Sequence, residues 1–140
     1  MGDKKPPLVE FAVHGKVTLG TIVDPNVLNP IHVMNFGKFV IAYVEKNPGA
    51  NLLLSFDNVE FLSSSTITEL IRIKDSLESS GGRLALSGIS ENIRKVFEIT
   101  NMIELLHVYS EPTDVAVQRL SRAADIAEQE AAWKDKHEKF

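Results

Sequence analysis

The sequence predicts an α/β domain, a mixed sheet of about five strands with packed helices. Short apolar blocks such as Leu52-Leu53-Leu54-Ser55-Phe56 have the length and content of buried strands. They alternate with stretches in which apolar residues recur every three or four positions, as at Ile67, Leu70, Ile71 and Leu77. The block order is strand, strand, helix, then strand–helix three times, which makes the later strands parallel with right-handed crossovers. With 140 residues, 44% of them hydrophobic, the chain can fill one core and is too short for two comfortable domains.

Residues 1–7 read as a disordered N-terminus closed by Pro6-Pro7. Residues 8–14 and 16–23 read as two strands of a hairpin turning at Gly15. Asp24-Pro25-Asn26 is helix-start punctuation, and Leu28, Ile31, Phe36, Phe39, Val40 and Tyr43 place a helix from Val27, with Pro30 tolerable only in its first turn. Asn47-Pro48-Gly49 ends it. The strand at 52–56 leads through the turn Asp57-Asn58 into Ser63-Ser64-Ser65. Thr66-Ile67-Thr68-Glu69 reads as a capping box opening the next helix, and Gly81-Gly82 stops it. Residues 83–87 form a strand, Ser90 caps a short helix presenting Ile93, Val96 and Phe97, and residues 105–109 form a final strand. Ser110-Glu111-Pro112 begins the last helix.

The domain is expected over residues 8–120, with 121–140 a helical extension or tail. Val117, Leu120, Ala124, Ala127 and Ala131 keep helical spacing across that boundary. The stripe allows two readings, a solvated helix or, with Trp133 and Phe140, a contact that forms a homodimer or holds a partner. Phe36, Phe39, Phe56, Phe61 and Phe97 read as core or helix-to-sheet contacts, and Met34 and Met102 as gap fillers.

Several function classes are disfavoured. A net charge of −4 without a Lys/Arg block gives no footprint for nucleic acid. The absence of cysteine removes disulfides, thiolate metal sites and cysteine nucleophiles, and fits a reducing compartment. No apolar run approaches a membrane span and no signal core follows Met1, so a cytoplasmic location is expected. His14, His32, His107 and His137 lack metal-ligand spacing, no Gly-rich phosphate loop follows a strand, and no Gly-x-Ser-x-Gly surrounds the serines. Asp57 and Glu60 are the nearest thing to an acid/base pair, and loop carboxylates of this kind are usually solvated. No enzyme activity, cofactor or metal is expected.

The triple serine is the feature that remains. It lies between a strand and a helix, where unpaired backbone N–H groups and the positive end of the helix dipole accommodate a phosphate. Its structural reading is a helix cap; its functional reading is a switch.

The stretches Val59-Glu60-Phe61-Leu62-Ser63-Ser64-Ser65, Gly81-Gly82-Arg83-Leu84-Ala85-Leu86-Ser87-Gly88-Ile89-Ser90, Val96-Phe97-Glu98-Ile99-Thr100 and Ile103-Glu104-Leu105-Leu106 resemble, in this order and spacing, the sulfate transporter and anti-sigma factor antagonist (STAS) domain. The likeness is to its free-standing bacterial anti-sigma factor antagonists. The family's switch motif is Asp-Ser-Ser/Thr-Gly-Leu-Gly at the start of the helix after the third strand. In register, Ser63 stands at the Asp position and Ser64 at the phosphorylated serine, with Ser65 the second candidate. Thr66, Ile67 and Thr68 stand for Gly, Leu and Gly. Ser63 therefore removes a carboxylate, and two β-branched residues narrow a surface that glycine would leave open.

The resemblance implies a protein that binds an ATP-binding anti-sigma factor/serine kinase, frees a sigma factor, and is switched off by phosphorylation of Ser64. The implied partner surface is Asp24, Asn58, Glu60, Ser63, Ser65, Thr66, Thr68 and Arg72. The alternative is a non-phosphorylated STAS scaffold or regulatory subunit of a signalling or transporter assembly.

Overall fold

The computed structural model describes residues 8–24 and 28–137. The expected disorder over 1–7, the pair Pro25-Asn26, the helix start at Val27, and Phe140 lie outside them. The elements are β1 (Val9–His14), β2 (Val17–Ile22), α1 (Val33–Lys46), β3 (Asn51–Ser55), α2 (Ser64–Ser79), β4 (Arg83–Ser87), α3 (Glu91–Ile99), α4 (Met102–Leu105) and α5 (Thr113–His137). The sheet runs β1-β2-β3-β4. β1 and β2 form the expected antiparallel hairpin, and β2–β3 and β3–β4 pair in parallel.

The continuous apolar run of β3 reflects burial on both faces. Leu52 and Leu54 point into the larger core with Phe36, Val40, Leu70, Ile73, Leu77 and Leu86. Leu53 points the other way, into a smaller cluster with Val17, Ala85, Ala116 and Leu120. Helices α1 and α2 thus cover one face and α5 the other. The alanine-rich stripe is partly used within its own chain: Leu120 and Ala124 are buried. Residue 120 falls inside the unbroken helix α5.

Further along α5, Asp125 and Glu128 both accept from Lys16 Nζ, a surface arrangement that contributes little stability. Near its start, the Arg119 guanidinium lies 4.8 Å from the Tyr109 ring centroid. Burial pushes the Tyr109 phenol above its ordinary value of 10.0, against the opposing pull of Arg119 and Arg83. A spectrophotometric titration is expected to show a late phenol that disappears in Tyr109→Phe. The unfolded chain loses this proton first, so stability falls as pH rises past 10.0, the ordinary phenol value.

Three expectations are corrected. First, α1 starts at Val33, six residues after the expected start. The Asn29 side chain accepts from the Ile31 N–H at 2.9 Å, and its carbonyl accepts from His32 and Val33 at 2.9 and 3.0 Å. These turn bonds use up the backbone groups around Pro30 before a regular helix begins. Second, the sheet has four strands. Met102–Leu105 is a helical turn and His107 takes a left-handed φ of 50°, so the chain is extended too briefly for a fifth strand. A single parallel bridge, Leu86 to Val108, remains of it. Third, α2 begins at Ser64 with Ser63 as N-cap, so Thr66 to Glu69 form no capping box. Glu69 is instead buried between α1 and α2, so close that a Cβ on Gly37 would lie 2.1 Å from Glu69 Oε1.

The other end of α2 follows the expected stop. Gly82 N–H donates to the Leu77 carbonyl at 2.9 Å and Gly81 N–H to the Glu78 carbonyl at 3.1 Å, with Gly81 at φ 87°. This paired closure satisfies the last carbonyls of the helix and turns the chain into β4. No helix among the described residues is long and apolar enough to cross a membrane.

Candidate functional site

At the C-terminal end of β3 the chain is pinned before it reaches the serines. Asp57 Oδ2 accepts from Ser55 Oγ at 2.9 Å and from Thr113 Oγ1 at 2.8 Å, and Thr113 lies 2.9 Å from Ser87 Oγ. One carboxylate therefore ties the ends of β3 and β4 to the start of α5. Asp57 thus serves as a structural acceptor at this junction. Val59 is buried, and the Glu60 carbonyl accepts from Ser90 Oγ at 2.8 Å, fixing the loop that presents the serines.

The hydroxyls at the start of α2 fall into two sets. Ser63 Oγ donates to the Leu28 carbonyl at 3.1 Å and lies 2.9 Å from Ser65 Oγ and 3.2 Å from Thr66 Oγ1. Thr66 is fully buried, and its hydroxyl donates to the same Leu28 carbonyl at 3.3 Å. Ser63, Ser65 and Thr66 thus knit the start of α2 to the segment that leads into α1. Ser64 stands apart: it is exposed, at the first helical position, and its side chain makes no hydrogen bond among the described residues. A group attached to its oxygen would meet the unpaired N–H groups of the first turn.

Ser64, Thr68 and Arg72 are exposed at successive four-residue steps and line one face of α2. Asn58 and Glu60 are exposed in the preceding loop, with Asn58 donating to the Ile22 carbonyl at 3.4 Å, and Asp24 is exposed after β2. The structure therefore joins Ser63, Ser65 and Thr66 in direct contact and aligns Ser64, Thr68 and Arg72. Glu60 makes its hydrogen bond through its carbonyl to Ser90, and none of the serine hydroxyl bonds among the described residues goes to its side chain.

Two apolar residues, Phe61 and Met34, were expected inside and are outside. Phe61, three residues before Ser64, is 69% exposed, and Met34 is 55% exposed. Ile31, three residues after the anchoring Leu28, is 81% exposed. Phe36, Phe56 and Phe97 are buried as expected. The sequence signal for Phe61 was its place beside the carboxylate of Glu60 and outside any periodic run. Among the described residues, no group of three His, Asp or Glu side chains is placed to hold a metal.

Comparison with known proteins agrees with this fold. Among solved structures, an anti-sigma-factor antagonist (STAS) domain protein from Planctomyces limnophilus superposes with a TM-score of 0.70 at 18% identity, covering 81% of this chain and 97% of that one. The anti-sigma factor antagonist SpoIIAA, described in its unphosphorylated form, gives 0.66 at 17% identity, covering 81% and 96%. An anti-sigma factor antagonist from Mycobacterium paratuberculosis gives 0.61 at 18% identity, covering 79% and 92%. No curated protein sequence matches the chain. A family model for the STAS domain matches residues 32–115, from the entry of α1 to the first turn of α5; the range includes the serines and all of α2 and begins after Asp24 and the anchoring Leu28. The chain belongs to the STAS domain family.

Proposed function

We propose that the protein is an anti-sigma factor antagonist that binds an ATP-binding anti-sigma factor with serine-kinase activity and is released when Ser64 is phosphorylated. The observation that carries this reading is the separation of the hydroxyls: Ser63, Ser65 and Thr66 are engaged with each other and with Leu28, and Ser64 alone is exposed and unengaged. In the transfer, Ser64 Oγ attacks the γ-phosphorus of ATP, its proton leaves, and the bond to the bridging oxygen of ADP breaks. ATP, Mg²⁺ and the catalytic groups belong to the kinase; this chain is substrate and ligand. The new group adds about −1.5 to −2 charges at the centre of the docking surface and opposes association by repulsion and desolvation. A regulator of this kind works in the bacterial cytoplasm and reaches transcription through protein contacts, without touching DNA.

The partner surface in this reading is the line Ser64, Thr68 and Arg72, flanked by Asp24, Asn58 and Glu60, with Phe61 as its apolar anchor. Ser63, Ser65 and Thr66 hold that surface in shape. Phe61→Ala is expected to weaken partner binding about tenfold or more, the usual cost of losing an aromatic anchor, while leaving the melting temperature unchanged because Phe61 is 69% exposed. Titration calorimetry beside a thermal melt checks both halves.

The decisive experiment incubates wild type and Ser64→Ala with the kinase, ATP and Mg²⁺, then measures partner release and maps phosphate by mass spectrometry. Phosphate on Ser64 with release confined to wild type supports the reading. Phosphate on another hydroxyl, or release of Ser64→Ala, overturns it. A second reading, a scaffold or regulatory subunit without phosphorylation, draws support from the way Ser63 and Thr66 act as structural ties. Equal capture of one partner by wild type, Ser64→Ala and Ser64→Asp would favour it.

A further inference from the structure

We propose that two copies of this chain associate through the outer edges of their β1 strands, antiparallel and centred on Ala12, to form one continuous eight-stranded sheet. The inference starts from an unguarded edge. β1 is the terminal strand of the sheet, and its six residues, Val-Glu-Phe-Ala-Val-His, pair with β2 in unbroken register. It carries no proline, lysine or bulge, devices that keep sheet edges from pairing, and its one carboxylate, Glu10, is the group that a second copy's His14 can answer. Among the described residues nothing pairs with its outer side.

The ladder determines which backbone groups are available. The Val23 N–H donates to the Leu8 carbonyl, which makes that facing pair a hydrogen-bonded one. Alternation along the register then turns Glu10, Ala12 and His14 toward β2 and leaves the N–H and C=O of Val9, Phe11 and Val13 pointing outward. An incoming strand must offer the same outward set, and a second β1 does.

The side chains select the register. With the two-fold axis at Ala12, Phe11 faces the second copy's Val13 in a hydrogen-bonded pair, and Glu10 faces the second copy's His14 in the closer non-hydrogen-bonded pair. Symmetry makes both contacts twice. Phe11 already stacks on Tyr43 at 3.8 Å and on Phe39 at 6.2 Å. Val13 is on the same face and 69% exposed, so the second copy's Val13 would close the open flank of that aromatic stack. On the opposite face, an exposed carboxylate meets an exposed imidazole that can donate to it. A shift of the axis to Phe11 sets Glu10 against Ala12, and a shift to Val13 sets Phe11 against Gly15; each loses both matches. The Ala12 axis is the self-complementary one.

Strand-edge interfaces are small, so the dimer is expected to depend on concentration. Sedimentation velocity of the full chain from about 10 μM to about 1 mM, a range suited to such weak contacts, should show a monomer–dimer equilibrium. Val13→Pro deletes an outward donor on an exposed residue without touching the β1–β2 ladder, and should weaken dimerisation at least about tenfold. His14→Glu sets two carboxylates face to face and should weaken it too, whereas the double variant Glu10→His with His14→Glu restores the pair and should recover the dimer. Circular dichroism checks the fold of each; should Val13→Pro unfold, the charge reversal and its rescue decide alone. A monomer across the whole range overturns the proposal. So does a dimer indifferent to these substitutions, including one abolished instead by Ile126→Asp on α5.

Discussion

In the proposed role, a Ser64→Asp variant is expected to bind an anti-sigma partner about a hundredfold more weakly than wild type, equivalent to about 2.7 kcal/mol. The carboxylate sits at the first position of α2, where it faces solvent in the free protein and would face the partner in the complex. In the free protein it costs nothing, because a negative charge at a helix N-terminus is favourable by about 0.3–1 kcal/mol. In the proposed complex it would be desolvated where the wild type presents a neutral hydroxyl. The two effects have opposite signs, which makes the result diagnostic: affinity falls while the melting temperature holds or rises. Ser64→Asn has similar bulk without charge and is expected to lose less than about tenfold, a loss of about 1.4 kcal/mol. Equal losses for Asp and Asn would assign the effect to shape and remove the basis for a phosphate switch.

Gly82→Ala should cost about 3 kcal/mol of folding stability, lowering the melting temperature by roughly 10 °C. A Cβ there would lie 2.0 Å from the Ala50 carbonyl oxygen and 3.0 Å from the backbone carbons of Ala50 and Gly49. All three obstacles are main chain, and the same Ala50 carbonyl accepts from the Arg83 N–H at 3.1 Å, so relief would require separating the starts of β3 and β4. Gly81→Ala is the control. Nothing lies within 4 Å of its Cβ position, and its penalty is only the left-handed backbone at φ 87°, about 1 kcal/mol. Urea unfolding of the two variants should reproduce that order. A milder effect at Gly82 than at Gly81 would show that the two strands can part at low cost.

The fold was legible wherever periodicity and punctuation agreed. β3 and β4 lay in apolar blocks with turn residues on both sides, and Ser90 announced α3 through the cap it forms with the Ile93 N–H at 3.2 Å. The misread segments are those in which a local hydrogen bond overrode the pattern. Leu28 and Ile31 keep helical spacing with Phe36, yet Asn29 turns the chain first. Residues 105–109 have strand composition, yet His107 adopts a left-handed conformation between a helical turn and the single bridge at Val108.

At the site, the family register put Ser64 ahead of Ser65, while the local residue pattern located the serines without a physical reason to rank them. Ranking needs the Leu28 carbonyl, 35 residues away from Ser63, which engages Ser63 and Thr66 and so distinguishes Ser64. Glu69 shows the same limit. Its spacing from Thr66 resembled a cap, while its role is set by Gly37, which opens the gap it fills between α1 and α2.

The ties from Ser63 and Thr66 to Leu28 have one more consequence. They rivet the beginning of α2 to the doorstep of α1, so the ground beneath Ser64 does not shift. Two forms of the protein differing only at that oxygen would share one shape, and the message would be written in electric potential, with no moving part to carry it. A partner reading such a message is sensitive to the ionic medium, because surface potentials fade over about 10 Å at 0.1 M salt. Discrimination between the two forms should therefore narrow steadily as salt is added, even though the protein itself remains unchanged.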